Sequence, residues 1–180
     1  MRCFVAIPLA AGLQREMMLV QAGLALPRPV PPGNLHLTLV FLGDVGGETL
    51  EELDRRLAAI RSPAFTMELR GAGLFGGRRP RSVHAGVRET PALMALREKV
   101  AQAAKAAGAA PAHRRFVPHV TLARLKPGEV SLPVLERAIA GRANVLWGRQ
   151  EVSEFILFRA HLGKAGAAYE ALREYPLSPA

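Results

Sequence analysis

Apolar residues along this chain follow two alternating rhythms. Short runs rich in Val, Ile, Leu and Thr have the composition of strands, and they are separated by stretches whose apolar residues return every three or four positions, as on one face of a helix. Cys3–Pro8 is the first strand. A helix follows with Leu13, Met17, Val20 and Leu24 on one face, and a proline-rich link, Pro27–Gly33, leads into a second strand around Asn34–Gly43. Thr49-Leu50-Glu51-Glu52 reads as a capping box that opens a helix with the stripe Leu50, Leu53, Leu57 and Ile60. Phe65–Leu69 and Ser82–Val87 are strands joined across the turn Gly76-Gly77-Arg78-Arg79-Pro80-Arg81.

The second half repeats the first. Thr90-Pro91 supplies a cap and a first helical residue, Leu93, Leu96, Val100 and Ala104 form the buried stripe, and Gly108 stops the helix. A strand at Pro118–Leu125, a short helix at Pro133–Ile139, strands at Asn144–Trp147 and Glu151–Phe158, and a closing segment Tyr169–Leu177 complete the chain. No connection is long or polar enough to part independent domains. The expected architecture is α+β: a single bilobal domain over residues 1–180, built by internal duplication, with lobes centred on the strands at 35–42 and 118–125. Each lobe would hold a small, mostly antiparallel sheet with helices outside, and a cleft would lie between them.

Those two central strands carry the same words. His36-Leu37-Thr38-Leu39 and His119-Val120-Thr121-Leu122 both read His-x-Thr-Leu, and the chain has only five histidines. Side chains alternate across a strand, so each histidine shares a face with its threonine while the aliphatic residues between them enter the core. Two imidazoles facing one phosphate can divide acid and base roles, because their reference pKa of about 6.5 leaves both protonation states accessible near neutrality. The threonine hydroxyls can donate to non-bridging phosphate oxygens. Threonine at the second motif position suits phosphate rather than zinc, and no Walker loop, carboxylate pair or metal-ligand spacing competes for the site; no cofactor and no metal are expected.

Composition adds partners and compartment. Twenty-four Lys and Arg against fifteen Asp and Glu give a formal net charge of +9, a surface that attracts polyanions. The arginine turn at 78–81 is suited to gripping phosphates. Mean hydropathy of +0.12 argues against disorder. The single cysteine, Cys3, can form no intrachain disulfide. No apolar run approaches a membrane span, so the chain reads as soluble and cytoplasmic, without membrane contact or an obligate protein partner.

Taken together, the paired His-x-Thr motifs, the opening Arg2-Cys-Phe-Val-Ala-Ile-Pro8, the block His36-Leu-Thr-Leu-Val-Phe-Leu-Gly43, Arg79-Pro-Arg81 and the form Pro118-His-Val-Thr-Leu-Ala-Arg124 resemble the 2H phosphoesterases. The resemblance runs almost end to end and points to the RNA 2′,3′-cyclic phosphodiesterase branch, also called LigT-like or 2′-5′ RNA ligase-like. It implies catalytic roles for His36 and His119, phosphate binding by Thr38, Thr121 and Arg124, and substrate contact by aromatics such as Phe4 and Phe41. It implies RNA ends or nucleotides bearing a 2′,3′-cyclic phosphate as substrates, with His36 as the acid and His119 as the base; the near-symmetric motifs do not by themselves distinguish the two. A 2′,5′-RNA ligase and a non-catalytic RNA-binding module are the alternatives. His84 stands where the family often has tryptophan, and Ala160 where it often has serine.

Arg124 poses a geometric problem. It lies five residues after His119, so strict alternation sends it to the face away from the imidazole. It reaches a phosphate held there only if the strand bulges or ends between Thr121 and Arg124, and that distortion is expected.

Overall fold

The computed structural model describes residues 1–109, 111, 115–163 and 166–179. His113, read from the sequence as part of a solvated loop with the lining of a substrate entrance beside Arg114-Arg115 as the alternative, lies outside these residues. Eight strands form one antiparallel sheet: β1 (Arg2–Pro8), β2 (His36–Asp44), β3 (Phe65–Phe75), β4 (Ser82–Val87), β5 (His119–Arg124), β6 (Leu146–Val152), β7 (Glu154–Gly163) and β8 (Gly166–Pro176), in the spatial order β6-β3-β4-β5-β2-β1-β7-β8. Among the described residues there are four α-helices: α1 (Ala11–Gly23), α2 (Gly47–Ala58), α3 (Pro91–Ala106) and α4 (Leu132–Ala140).

The expected pair of small sheets is corrected here. The two four-stranded halves are hydrogen-bonded into one sheet, and they meet at a single residue pair, Leu37 of β2 opposite Val120 of β5. The order places β5 and β2 at the centre, β4 and β1 beside them, then β3 and β7, with β6 and β8 at the edges. This pairing between strands some eighty residues apart depends on how the halves dock, which no local pattern encodes.

The core lies on one face of the seam. Leu37, Leu39, Val120 and Leu122 join one apolar cluster with the helical stripes Leu13, Met17 and Val20 of α1 and Leu93, Leu96, Val100 and Ala104 of α3. Thr90 caps α3 as expected, its hydroxyl accepting from the Leu93 amide at 3.3 Å. The Thr49 capping box does not form. Helix α2 starts a turn earlier, capped by Gly46 without a side-chain hydrogen bond. Nor does the chain break at 148–150: β6 runs through Gly148 and ends only before Ser153. Gly148 is there for close approach, since a Cβ would meet Leu13 Cδ2 of α1 at 2.7 Å.

Candidate active site

The seam builds the site. With Leu37 opposite Val120 in an antiparallel pair, the register sets His36 across from Thr121 and Thr38 across from His119. All four side chains leave the sheet on the face opposite the core, and all four are half-buried. Each histidine therefore faces the other motif's threonine, and the imidazoles lie on the diagonal of the square.

Backbone hydrogen bonds orient both rings alike. His36 Nδ1–H donates to the Asn34 carbonyl at 2.7 Å, and His119 Nδ1–H donates to the Val117 carbonyl at 2.7 Å. A carbonyl can only accept, so each Nδ1 holds a proton and Nε2 is the reactive nitrogen in both rings. His36 Nε2 lies 3.0 Å from Thr38 Oγ1. Asn34 is itself tied down, its Nδ2 donating to the Ala167 carbonyl on β8 at 2.7 Å.

Burial pushes the pKa of both histidines below the usual imidazole value, opposed by the backbone hydrogen bonds and reinforced by the Arg124 charge; for His36, proximity to His119 adds to the effect. For Arg124 to stand on the face of the two imidazoles, the strand must break its alternation before residue 124. The strand distortion required for this is present. In the β4–β5 ladder His84 pairs with Thr121 and Val83 with Ala123, so Leu122 is an extra residue. Leu122 and Ala123 are both buried in succession, and alternation resumes one step out of phase with Arg124 exposed on the site side.

Three groups stabilise this bulge. The Leu122 carbonyl, released from the ladder, accepts from the Val30 amide at 2.8 Å and from Gln21 Nε2 at 2.8 Å. Arg28 Nη2 donates to the Arg124 carbonyl at 3.2 Å and to Glu129 Oε2 at 2.5 Å. Gln21 and Arg28 escaped the sequence reading. The signal for Gln21 was an amide inside the apolar face Met17–Leu24, where a buried polar group requires partners.

The same bulge occurs in β2. Val40 pairs with Val5 and Thr38 with Ala6, leaving Leu39 extra. Phe41, the fifth residue after His36, is thereby the counterpart of Arg124, the fifth after His119. Its ring is 44% exposed, with the Arg2 guanidinium 5.3 Å from its centre. Phe4 differs from the expectation of a substrate-facing aromatic. It is buried, stacked on Phe158 at 5.2 Å, and its ring centre lies 4.9 Å from that of His36, so it offers a floor for the imidazole. Tyr169 of β8 meets both rings edge-on. His119 is packed in turn against Phe75 at 4.7 Å and His84 at 5.4 Å.

His84 stacks on Phe75 at 4.1 Å and covers Gly73, where a Cβ would come within 2.7 Å of its Nε2. Burial, with His119 beside it, lowers the His84 pKa to about 4, and its buried Nδ1 has no hydrogen-bond partner among the described residues. It is thus a neutral aromatic wall in the position of the expected tryptophan. Ala160 pairs with Tyr169 across β7 and β8, and His161 is exposed, 2.7 Å from Glu170 Oε2. Among the described residues no three His, Cys, Asp or Glu side chains converge as a metal site.

Known proteins resemble this chain in sequence and in fold. The family model for the 2′-5′ RNA ligase superfamily matches residues 15–164. An RNA 2′,3′-cyclic phosphodiesterase of Aeropyrum pernix is 38% identical over 149 residues, 82% of this chain and 84% of the relative. The Escherichia coli (strain K12) protein of the same name is 32% identical over 181 residues, covering 98% and 97%. The crystal structure of E. coli LigT complexed with 3′-AMP superposes with a TM-score of 0.81 at 32% identity, over 98% of this chain and 97% of that one.

Proposed function

The chain belongs to the 2′-5′ RNA ligase superfamily, and from that premise we propose that it hydrolyses the 2′,3′-cyclic phosphate at RNA ends or on nucleotides by two-histidine acid–base catalysis, without a metal. Its curated relatives bear the name RNA 2′,3′-cyclic phosphodiesterase. The observation that carries the reading is the Leu37–Val120 register, which sets two His-x-Thr pairs on one sheet face, together with the Leu122 bulge that turns Arg124 toward them. The strand order supports one bilobal domain over residues 1–180.

In this reading Arg124 and the hydroxyls of Thr38 and Thr121 hold the non-bridging oxygens, where negative charge accumulates in the transition state. Water attacks phosphorus and gives its proton to His119 Nε2. The P–O3′ bond breaks in line, and the departing oxygen takes a proton from His36 Nε2. The 2′-phosphate and a free 3′-hydroxyl result, and each histidine ends in the other's initial protonation state. The assignment of acid and base follows the family. It agrees with one asymmetry: His36 Nε2 is engaged by Thr38, whereas His119 Nε2 makes no hydrogen bond among the described residues.

Adenosine 2′,3′-cyclic phosphate incubated with enzyme in excess EDTA tests the proposal. A single product is expected, because only one ring oxygen can lie in line between two fixed imidazoles, and the family resemblance makes that product the 2′-phosphate. A 3′-phosphate, a mixture, or loss of turnover restored by zinc would contradict it. The 2′,5′-ligase reaction replaces water with a 5′-hydroxyl in the same geometry, and paired imidazoles disfavour a purely RNA-binding role, which needs neither.

A further inference from the structure

The arginine turn is built onto the rim of the site. It leaves β3 at Phe75, whose ring touches His119, and returns to β4 at Ser82, which pairs with Arg124. The turn is tight: the Arg81 amide donates to the Phe75 carbonyl at 2.7 Å and the Arg79 amide to the Gly76 carbonyl at 3.1 Å. Gly76 has φ +112, and a Cβ there would meet the Arg79 carbonyl oxygen at 2.3 Å, so this geometry needs glycine. The segment after β5 is tied to it, the Leu125 amide donating to the Arg81 carbonyl at 2.8 Å.

Between the two segments lies a cavity of about 440 Å³ lined by Arg78, Arg79, Pro80, Lys126 and Val130, among others. Its charge is one-sided. Arg78, Arg79 and Lys126 in its lining are exposed, as are Arg81 and Arg124 next to it in the chain, and none of the five pairs with a carboxylate among the described residues. Glu129, the acidic side chain nearby, is taken up by Arg28 and the Lys126 amide. Elsewhere on the sheet basic residues are neutralised, as where Arg70 and Arg149 both bind Glu68. Five like charges along one rim repel one another, and a run of phosphates offsets that repulsion.

We propose that this groove binds phosphodiesters of the RNA chain upstream of the cyclic end, contacts that an oligoribonucleotide makes and a free cyclic nucleotide does not. The inference rests on the phosphodiesterase reading and extends it from the terminal phosphate to the strand that carries it. Arg78, Arg79 and Lys126 are the residues that distinguish the two substrates, because they lie beyond the reacting phosphate.

The test compares wild type with R78A/R79A and with K126A on two ligands: adenosine 2′,3′-cyclic phosphate and a short fluorescent oligoribonucleotide ending in a 2′,3′-cyclic phosphate. Oligomer binding by fluorescence anisotropy should weaken tenfold or more in R78A/R79A and less in K126A. The slope of log affinity against log salt should flatten by roughly 0.7 per lost phosphate contact. Mononucleotide kcat and KM should not change. Unaltered oligomer affinity and salt slope, or equal losses on both ligands, would overturn the groove. A wild type that binds the oligomer but hydrolyses neither ligand would contradict the phosphodiesterase reading, while the binding comparison would still decide the groove.

Discussion

Replacing His36 or His119 with alanine is expected to lower kcat/KM by about 10²–10⁴-fold, the range for loss of one general acid or base. Both rings stand on the half-buried face, while the strand is anchored from the other side by Leu37, Leu39, Val120 and Leu122. Removing an imidazole thus leaves the main core untouched, and urea unfolding midpoints should stay near wild type. The double variant should be little worse than either single one, because two groups acting in one proton relay do not contribute additively. A single variant that is folded and within a few-fold of wild type would remove that histidine from the mechanism.

Arg124→Lys is expected to reduce kcat/KM roughly 10–100-fold, corresponding to about 1.5–3 kcal/mol for a hydrogen bond to a charged group. The charge is kept, so the loss isolates geometry. A guanidinium presents two parallel N–H donors to two phosphate oxygens, whereas an ammonium is a point charge on a flexible stem. Gln21, Val30 and Arg28 hold the backbone of the bulge from which this side chain leaves the strand. Kinetics equal to wild type in the lysine variant would mean that Arg124 does not grip the phosphate, despite the bulge.

Much of this was legible in the chain. The His-x-Thr repeat located the two central strands, and alternation combined with the phosphate role that the resemblance implies for Arg124 required a distortion between Thr121 and Arg124, which the structure has at Leu122. The matching bulge in β2 could have been read from the adjacent apolar pair Leu39-Val40, which mirrors Leu122-Ala123. Other features were hidden for physical reasons. Joining the halves into one sheet depends on a lone pair of residues brought together by docking. Gln21 satisfies a carbonyl 101 residues away, and Phe4 becomes buried only because Phe158 and Tyr169, from the far end of the chain, close over it. From the sequence the strand ends at Trp147, whereas β6 continues through Gly148, whose close contact with Leu13 is not visible locally.

The pH dependence of hydrolysis tests the two-histidine account most directly. Burial lowers both imidazole pKa values in the free protein, so the bell in kcat/KM should have its maximum on the acid side of about 6.5, the ordinary imidazole value. Below the maximum the base is protonated and lost; above it the acid is deprotonated and lost. A bound phosphate anion favours imidazolium, so the bell in kcat should lie at higher pH. The residual rate of H119A should lose the acid limb, and that of H36A the alkaline limb. A bell that survives unchanged in either variant, or a wild-type rate indifferent to pH between 5 and 8, where imidazole titrates, would contradict the account.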